Sequence, residues 1–315
     1  MHQSRRVVVT GIGVCTPIGL TVETFWRNLL SGVSGLSVAP DIFHFLPSKV
    51  VGLIKETNLE WVKTETERYL EGSGSGLIDW KHFSRASLWA VLAAKQALLQ
   101  AGFHPSSHKN PIGNRAGVHF GSGMDGILEI MDTASGISGG IYKAIGPHAL
   151  TRSLANMPAG IISRLWGMRG PCMAGNTACA TGLHAIGDAF RLIQHGEADL
   201  VVAGGCEAPI NPWAVAAFSR IRALSTRFND QPTLASRPFD VQRNGFVISE
   251  GAGAMVLQAW PPPDDLAAYC RADGCAPTPI AEIIGYGRSG KNHRASYLSL
   301  FEMYLVDKDA VNCSR

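Results

Sequence analysis

Several stretches of this chain are apolar without a break and end in glycine, which is typical of strands buried on both faces. Such stretches occupy residues 6–13, 116–121, 199–205 and 254–257, and a further strand is expected over residues 280–286. Strands of this kind need other elements on each side, so the pattern predicts a sheet in the interior of the protein.

Between these stretches the apolar residues recur at intervals of three and four, which predicts helices. The predicted helices cover residues 22–30, 84–101, 154–166 and 180–195. Glycine follows soon after these helices and supplies C-terminal stops. Because predicted strands alternate with predicted helices, the fold class is α/β, with a sheet covered on both sides.

In four parts of the chain the apolar residues recur at no regular interval. Residues 38–80 mix proline, glycine and charge and are expected to run over the surface, and the glycines of residues 127–147 predict a mobile loop. Three prolines at 261–263 open a linker, after which a short helix is expected over residues 264–271. The tail, residues 291–315, contains no glycine or proline and predicts an isolated helix without a packing partner.

The composition excludes several classes of partner. At 315 residues, with 46% hydrophobic and 17% charged residues, the chain is globular and has the length of one large or two ordinary domains. Its net charge of +3 is too small to indicate nucleic-acid or membrane-surface binding. No apolar run is long enough to span a bilayer. Neither a nucleic-acid partner nor membrane insertion is expected.

The seven cysteines are scattered and odd in number, and their spacing fits neither a zinc site nor a redox pair. This predicts a reducing compartment. Gly11 and Gly13 lack the third glycine of a dinucleotide loop. No metal and no cofactor is therefore predicted. Val7 already belongs to an apolar strand, so neither a signal peptide nor a transit peptide is expected at this N-terminus.

Cys179 is the candidate nucleophile that the local pattern singles out. It stands at the predicted start of a helix, after a short strand and a tight turn within residues 170–178. The unpaired N–H groups and the positive end of the helix dipole favour a thiolate there, which suits acyl transfer. Free cysteines are more often small core residues, so the local pattern leaves a buried structural cysteine open as the alternative.

Seven segments of the chain form a recognisable series. They lie at residues 6–13, 156–160, 170–182, 196–205, 218–225, 236–240 and 245–253. The third contains Thr177-Ala178-Cys179-Ala180-Thr181-Gly182. In order and spacing, from residue 5 to about residue 290, the series resembles the β-ketoacyl-[acyl-carrier-protein] synthases, specifically the type II elongation enzymes of bacteria and mitochondria.

The resemblance implies a thiolase-like α/β fold, of which this chain holds the N-terminal half and the beginning of the second half only. In the family a cysteine is acylated by an acyl carrier protein thioester. Malonyl-carrier protein then loses carbon dioxide, and its carbanion attacks the acyl group in a Claisen condensation of fatty-acid synthesis. The resemblance therefore implies an acyltransferase, with Cys179 as the acylated residue, acyl- and malonyl-acyl carrier protein as partners, and a homodimer.

Two further positions match the substrate pocket of the family. Met124 matches a position that lines the acyl tunnel, and Phe218 matches a position beside the nucleophile. The resemblance implies a substrate-binding role for both residues. Ordinary core packing stays open as the alternative, because methionine in particular fills irregular gaps well.

The resemblance also implies a division of the chain. Residues 1–258 correspond to the nucleophile-bearing half, and residues 259–290 to a linker and the start of the second half. Residues 291–315 match nothing in the family and have the character of a frame change or a retained intron. The family's His-x-Thr-x-Thr and Lys-x-x-x-Gly-His segments, whose histidines assist decarboxylation, do not occur in this sequence.

No other histidine is expected to replace those of the missing segments. His184 lies on the predicted cysteine helix, His195 ends that helix, and His293 falls in the tail. Decarboxylation then lacks its imidazole donors, and the half that bears the cysteine keeps an apolar face uncovered. This form is therefore expected to be weak or inactive as a condensing enzyme.

Two alternative functions stay open beside that one. The first is a non-catalytic fragment that pairs with the full-length synthase or interferes with it. The second is a thiolase-type acyltransferase, although thiolases place the nucleophile earlier and lack the run at residues 236–239. Eukaryotic relatives of this type are mitochondrial and bacterial ones cytoplasmic. The spliced character of the tail favours a eukaryotic gene, so a mitochondrial location is expected, with the cytoplasm as the alternative.

Overall fold

The computed structural model describes residues 5–55, 57–70, 78–103, 113–124, 126–140, 142–264, 266, 278–289 and 298–305. The strands in these ranges are β1 Arg6–Cys15, β2 Ser37–Val38, β3 Val50–Val51, β4 Ala116–Gly121, β5 Cys172–Met173, β6 Leu200–Glu207, β7 Gly251–Trp260, β8 Ala281–Ser289 and β9 Leu298–Leu305. The α-helices are α1 Val22–Leu30, α2 Thr57–Leu70, α3 Arg85–Gln100, α4 Ile127–Ser138, α5 Ala149–Arg152, α6 Met157–Trp166, α7 Thr181–Gln194 and α8 Pro212–Arg220.

Seven of the strands form one mixed sheet in the order β5-β4-β6-β7-β1-β8-β9. Strands β5, β4 and β6 run parallel to one another, and every remaining pair of neighbours is antiparallel. Because β4, β5 and β6 share one direction, their carboxyl ends meet at one edge of the sheet. Ligands commonly bind at this edge in α/β proteins.

Helix α3 covers one face of the sheet and α7 covers the other. Along β6, Leu200 and Val202 pack into the cluster that contains α3, whereas Val201 and Ala203 pack into the cluster that contains α7. The alternation between two apolar layers explains why the strand is apolar at every position. The predicted sheet with both faces buried is therefore confirmed.

The helix with the strongest sequence pattern is also the most deeply buried. Ser84 caps α3 by accepting a hydrogen bond from the backbone N–H of Ser87 at 3.1 Å. Most side chains of α3 are buried, and its Trp89 is fully inaccessible to solvent. Two glycines of β1 let this helix approach the sheet closely, because a Cβ at Gly11 or Gly13 would overlap a backbone carbonyl of α3.

The predicted helices are found with small shifts in their ends. Helix α1 has the predicted bounds, α3 lies within 84–101, α7 lies within 180–195, and α6 begins three residues later than predicted. Pro158 stands in the first turn of α6, where its missing N–H has no intrahelical acceptor to lose. Strand β8 extends the predicted segment to Ser289.

The prediction that residues 38–80 run over the surface is wrong. Strands β2 and β3 pair within this segment, and α2 follows them. Phe43 and Val51 are buried in a cluster with Val215 of α8. Strands β2 and β3 are two residues long, too short to produce a period, so the sequence pattern missed them.

The predicted loop at residues 127–147 is also wrong over its first half, where α4 forms a helix of 12 residues. A single internal glycine costs a helix only about 1 kcal/mol relative to alanine, and the flanking apolar positions outweigh it. Arg152 of α5 forms an ion pair with Glu129 of α4 at 3.0 Å. This contact joins the two helices.

The helix predicted for residues 291–315 is contradicted where the structure describes the tail. Residues 298–305 form β9, which pairs antiparallel with β8 from Leu298 beside Ser289 to Leu305 beside Ala281. The remaining residues of the tail lie outside the described part of the chain, as does most of the helix predicted for residues 264–271. Among the described helices, none combines the length and the apolar character that crossing a membrane requires.

We expect Gly11→Ala to lower the free energy of unfolding by about 1–3 kcal/mol, the usual cost of forcing extra volume into a close contact. The added Cβ overlaps the carbonyl of Ala97, so β1 and α3 must separate. Urea denaturation followed by circular dichroism measures the change.

Gly160→Ala is the matched control for this substitution. A Cβ at Gly160 of α6 meets no atom within 4 Å. This variant should be as stable as the wild type, or more stable by up to about 1 kcal/mol through helix propensity. Equal stability of the two variants would contradict the assigned packing of α3 on β1.

Candidate functional site

Cys179 lies at the carboxyl edge of the three parallel strands. The chain leaves β5, turns through residues 174–177, and enters a 3₁₀ turn at Ala178–Ala180 that leads directly into α7. Cys179 thus lies in the short turn directly ahead of α7, and its side chain is exposed. An exposed thiol at the start of a helix is open to an incoming substrate.

The turn that carries Cys179 is held by hydrogen bonds and by backbone strain. The hydroxyl of Thr181 donates to the carbonyl of Ala178 at 2.7 Å and accepts from the N–H of Thr177 at 2.8 Å. Ala178 has a φ of 52°, which non-glycine residues rarely adopt. Strain of this kind costs about 1–3 kcal/mol and persists where the surrounding structure enforces it. The position of Cys179 is therefore imposed by its neighbours.

Glycines at the strand ends allow the turn and α7 to lie against the sheet. A Cβ at Gly121, the last residue of β4, would overlap the side chain of Thr181. A Cβ at Gly205 of β6 would lie 3.0 Å from the Cα of Gly182. The start of α7 thus packs directly on the backbone of β4 and β6.

A cavity of about 910 Å³ opens beside this turn. Cys179 lies in its wall together with Met124 and Phe218, so the structure brings all three predicted site residues to one pocket. The ring of Phe218 packs edge-on against Phe246 with centroids 5.3 Å apart. The wall is mainly apolar and the volume suits a flexible organic chain.

Burial separates Cys179 and Cys172 from the other two described cysteines. Cys15 and Cys206 are buried, and burial raises the pKa of the Cys15 thiol far above its usual range. Cys172 is exposed by surface area, yet desolvation of its sulfur still raises its pKa. A raised pKa leaves less of the reactive thiolate at neutral pH.

Glu207 is a half-buried carboxylate in the wall of the pocket that the sequence interpretation missed. It ends β6 and accepts hydrogen bonds from the hydroxyl of Ser122 at 2.9 Å and from the N–H groups of Gly123 at 2.9 Å and Met124 at 3.1 Å. These contacts fix the loop that carries Met124. In the sequence, the signal that could have identified Glu207 was an acidic residue at the end of an apolar strand.

The loop held by Glu207 also contacts the nucleophile turn. A Cβ on Gly123 would lie 3.3 Å from the carbonyl of Ala178, so backbone of the loop and backbone of the turn are nearly in contact. Burial raises the pKa of the Glu207 carboxyl, and the hydrogen bonds from Ser122 and the two N–H groups lower it by less. The loop, the carboxylate and the turn form one connected unit.

Two of the described histidines, His184 and His119, lie next to the cysteine turn. His184 of α7 shares a hydrogen bond of 2.7 Å with the hydroxyl of Thr177. His119 of β4 is buried beneath the turn, where its Nε2 would lie 3.6 Å from a Cβ on Gly175, and burial lowers its pKa. His195 follows α7 as its C-cap. His293 lies outside the described residues.

Comparison with known proteins places these features in a family. Residues 4–260 match the family model described as Beta-ketoacyl synthase, N-terminal domain. A mitochondrial 3-oxoacyl-[acyl-carrier-protein] synthase of Arabidopsis thaliana is 40% identical over 304 residues, covering 93% of this chain and 62% of the relative. A 3-oxoacyl-[acyl-carrier-protein] synthase 2 of Vibrio cholerae is 38% identical, with 91% and 63% covered.

A solved structure agrees with the sequence matches. The crystal structure of a beta-ketoacyl synthase from Burkholderia phymatum superimposes with a TM-score of 0.74 at 29% identity, covering 90% of this chain and 64% of that chain. The predicted thiolase-like α/β class is therefore confirmed. The chain spans less than two thirds of the length of the relatives it matches.

We expect Glu207→Gln to alter how stability depends on pH. The raised pKa means that the folded protein binds this proton more tightly than the unfolded chain does. As the pH rises from about 4.3, the ordinary value for glutamate, to the raised folded-state value, the wild type should lose stability relative to the variant. Urea denaturation across this window measures the difference.

Ser122→Ala provides the control, since it removes one hydrogen bond and keeps the titrating carboxyl. Its unfolding free energy should still fall as the pH rises, over a window that reaches higher pH than in the wild type, because the lost hydrogen bond lowers the pKa of Glu207. A wild type that gains stability relative to Glu207→Gln as the pH rises would show that the carboxyl is not destabilised by its burial.

Proposed function

Because this chain belongs to the β-ketoacyl synthase family, we propose that it takes part in fatty-acid synthesis by accepting an acyl group on Cys179 from acyl carrier protein. One observation carries the proposal. Cys179 is exposed on a strained turn ahead of α7, and it borders an apolar cavity with the volume that a fatty acyl chain requires.

The proposed acylation is a thioester exchange. The sulfur of Cys179 attacks the thioester carbonyl, the bond to the carrier thiol breaks, and that thiol leaves with the proton that Cys179 gave up. The start of α7 favours the thiolate through its dipole. We propose that the backbone N–H of Cys179 donates to the thioester oxygen, where negative charge develops in the transition state.

Condensation with malonyl-carrier protein is the proposed activity of the family protein as a whole. That step needs donors that stabilise the charge released on decarboxylation, and the histidine segments that supply them in the family do not occur in this sequence. We therefore propose that this chain by itself accepts the acyl group and condenses weakly or not at all. Residues 1–258 then act as the nucleophile-bearing unit.

Met124 and Phe218 are proposed to bind the acyl chain. Both border the cavity beside Cys179, and the backbone of Met124 is fixed by Glu207. Phe218 is held by its contact with Phe246, another residue of the cavity wall. Apolar side chains held in this way stabilise a bound alkyl chain by removing its surface from water.

The relatives support a proposed partner and a proposed location. Acyl carrier protein is the proposed carrier, since the relatives' names specify synthases that act on it. A homodimer and a mitochondrial location are proposed as well. The Arabidopsis relative, which is named as mitochondrial, supports the location, and the bacterial relative keeps the cytoplasm as the alternative.

We expect the purified chain to gain the mass of one acyl group at Cys179 when it is incubated with acyl-acyl carrier protein. Intact-mass and peptide mass spectrometry locate the modification. Cys179→Ser should lose the rapid labelling, because a serine hydroxyl without a base is a much weaker nucleophile than a thiol.

Cys172→Ser is the matched control, because Cys172 is the other exposed cysteine among the described residues. It should be acylated like the wild type. Labelling that persists in Cys179→Ser, or that disappears in Cys172→Ser, would overturn the assignment of the nucleophile.

We expect Met124→Phe to slow acylation by long acyl chains by about tenfold or more, because the larger ring fills space that the chain would occupy. Short acyl chains should react as they do with the wild type. Initial rates of Cys179 acylation with a series of chain lengths measure the effect.

Met157→Phe controls for a general effect of adding a ring, since Met157 is partly buried at the start of α6 and does not border the cavity. It should not change the dependence on chain length. Equal slowing of short and long chains by Met124→Phe would show that Met124 does not line the acyl site.

A further inference from the structure

Two histidines and an aspartate meet at a place remote in sequence from the cysteine turn. Asp79 and His82 belong to the 3₁₀ turn that precedes α3, whereas His148 is the N-cap residue of α5. Their ligand atoms all lie within 4.8 Å of one another. Within the ranges that the structure describes, no other group of three such side chains meets this criterion.

The local structure orients the first two of these side chains. One carboxylate oxygen of Asp79, Oδ1, accepts a hydrogen bond from the backbone N–H of Lys81 at 3.1 Å and so caps the 3₁₀ turn. The other oxygen, Oδ2, lies 3.5 Å from Nε2 of His82. The three-residue spacing places the carboxylate and the imidazole on the same side of the turn.

The third side chain comes from a distant part of the chain. The rings of His82 and His148 pack edge to face, with centroids 4.1 Å apart and planes at 64°. The contact joins residues that are far apart in sequence. It is therefore a product of the tertiary fold rather than of local spacing.

We propose that Asp79, His82 and His148 bind a zinc-type divalent transition metal ion. Imidazole nitrogen and carboxylate oxygen are ligands that Zn²⁺ accepts in proteins. With metal–ligand distances of about 2.0–2.1 Å, tetrahedral geometry places ligand atoms about 3.4 Å apart. The separation between Asp79 and His82 already has this size. His148 supplies the third ligand atom, which lies within 4.8 Å of the other two.

The exposure of the group fits an ion that keeps one solvent ligand. Asp79 is exposed, and both histidines are half-buried, so water reaches a fourth position. Three protein ligands with a fourth open position form a recognised zinc arrangement. The ion would link the segment that leads into α3 with α5, which is itself paired with α4 through Arg152 and Glu129.

Cobalt(II) provides the direct test, because it binds at zinc sites and its visible absorption spectrum depends on the number and geometry of its ligands. The full chain is stripped with a chelator, its accessible thiols are alkylated, and Co²⁺ is added at neutral pH. Alkylation removes the exposed thiols of Cys172 and Cys179 as competing ligands. We expect intense tetrahedral absorption bands, their loss when Zn²⁺ is added, and a higher melting temperature with Zn²⁺.

Three variants assign the ligands. His82→Gln, His148→Gln and Asp79→Asn should each weaken Co²⁺ binding by at least about tenfold, since losing even an outer partner of a metal site has that effect. His44→Gln is the matched control, because Asp41 and His44 have the same three-residue spacing in a 3₁₀ turn, and no third ligand accompanies them among the described residues. This variant should bind Co²⁺ like the wild type.

Either of two outcomes overturns the proposal. One is the absence of tetrahedral Co²⁺ bands in the folded wild-type chain, whose folding is checked by circular dichroism. The other is equal Co²⁺ affinity in the wild type and in His148→Gln. If a histidine variant fails to fold, Asp79→Asn decides, because this substitution keeps a side-chain oxygen that can cap the turn and removes only the charge.

Discussion

The absence of side chains at Gly121 and Gly205 is the constraint on which the site depends. Gly121 ends β4 and Gly205 lies two residues before the end of β6, and both lie against the start of α7 at Thr181 and Gly182. A methyl group at either position would lift the turn from the sheet. Ala178 keeps a positive φ of 52° in a turn that Thr181 holds through two hydrogen bonds, and such strain persists where the surrounding structure enforces it. The sulfur of Cys179 is thus aimed by the sheet and not by its own rotamer alone.

Glu207 extends this rigid unit to the wall of the pocket. Burying a carboxylate is costly unless hydrogen bonds compensate it, and here two backbone N–H groups and one hydroxyl do so. Burial still dominates, since the pKa of the carboxyl remains above its usual range. The same hydrogen bonds fix the loop at Gly123, which lies between Glu207 and the backbone of Ala178. A group that takes no part in bond breaking thereby couples the pocket wall to the nucleophile.

The sequence was informative where a single element carries its own pattern. Helix α3 is apolar around most of its circumference and has Ser84 as its cap, so its bounds were predictable. Elements that form only by pairing with another part of the chain were not predictable from their own sequence. Strand β9 exists through its pairing with β8, and β2 and β3 are two residues long. Glu207 became a site residue only when β4 and β6 lay side by side, a contact between residues 85 apart that no local spacing reveals.

One ion pair, between Arg85 at the start of α3 and the buried Glu250, ties the segment before α3 to the entry of β7. Glu250 accepts from Arg85 at 2.6 and 2.9 Å and from the N–H of Ile54 at 2.6 Å. Removing one partner of such a pair costs about 3–5 kcal/mol, because it leaves a buried charge uncompensated. Glu250 stands between Ser249 and Gly251, both in the cavity wall. The ion pair therefore fixes the entry to β7 on the cavity side, although neither of its charges contacts the nucleophile.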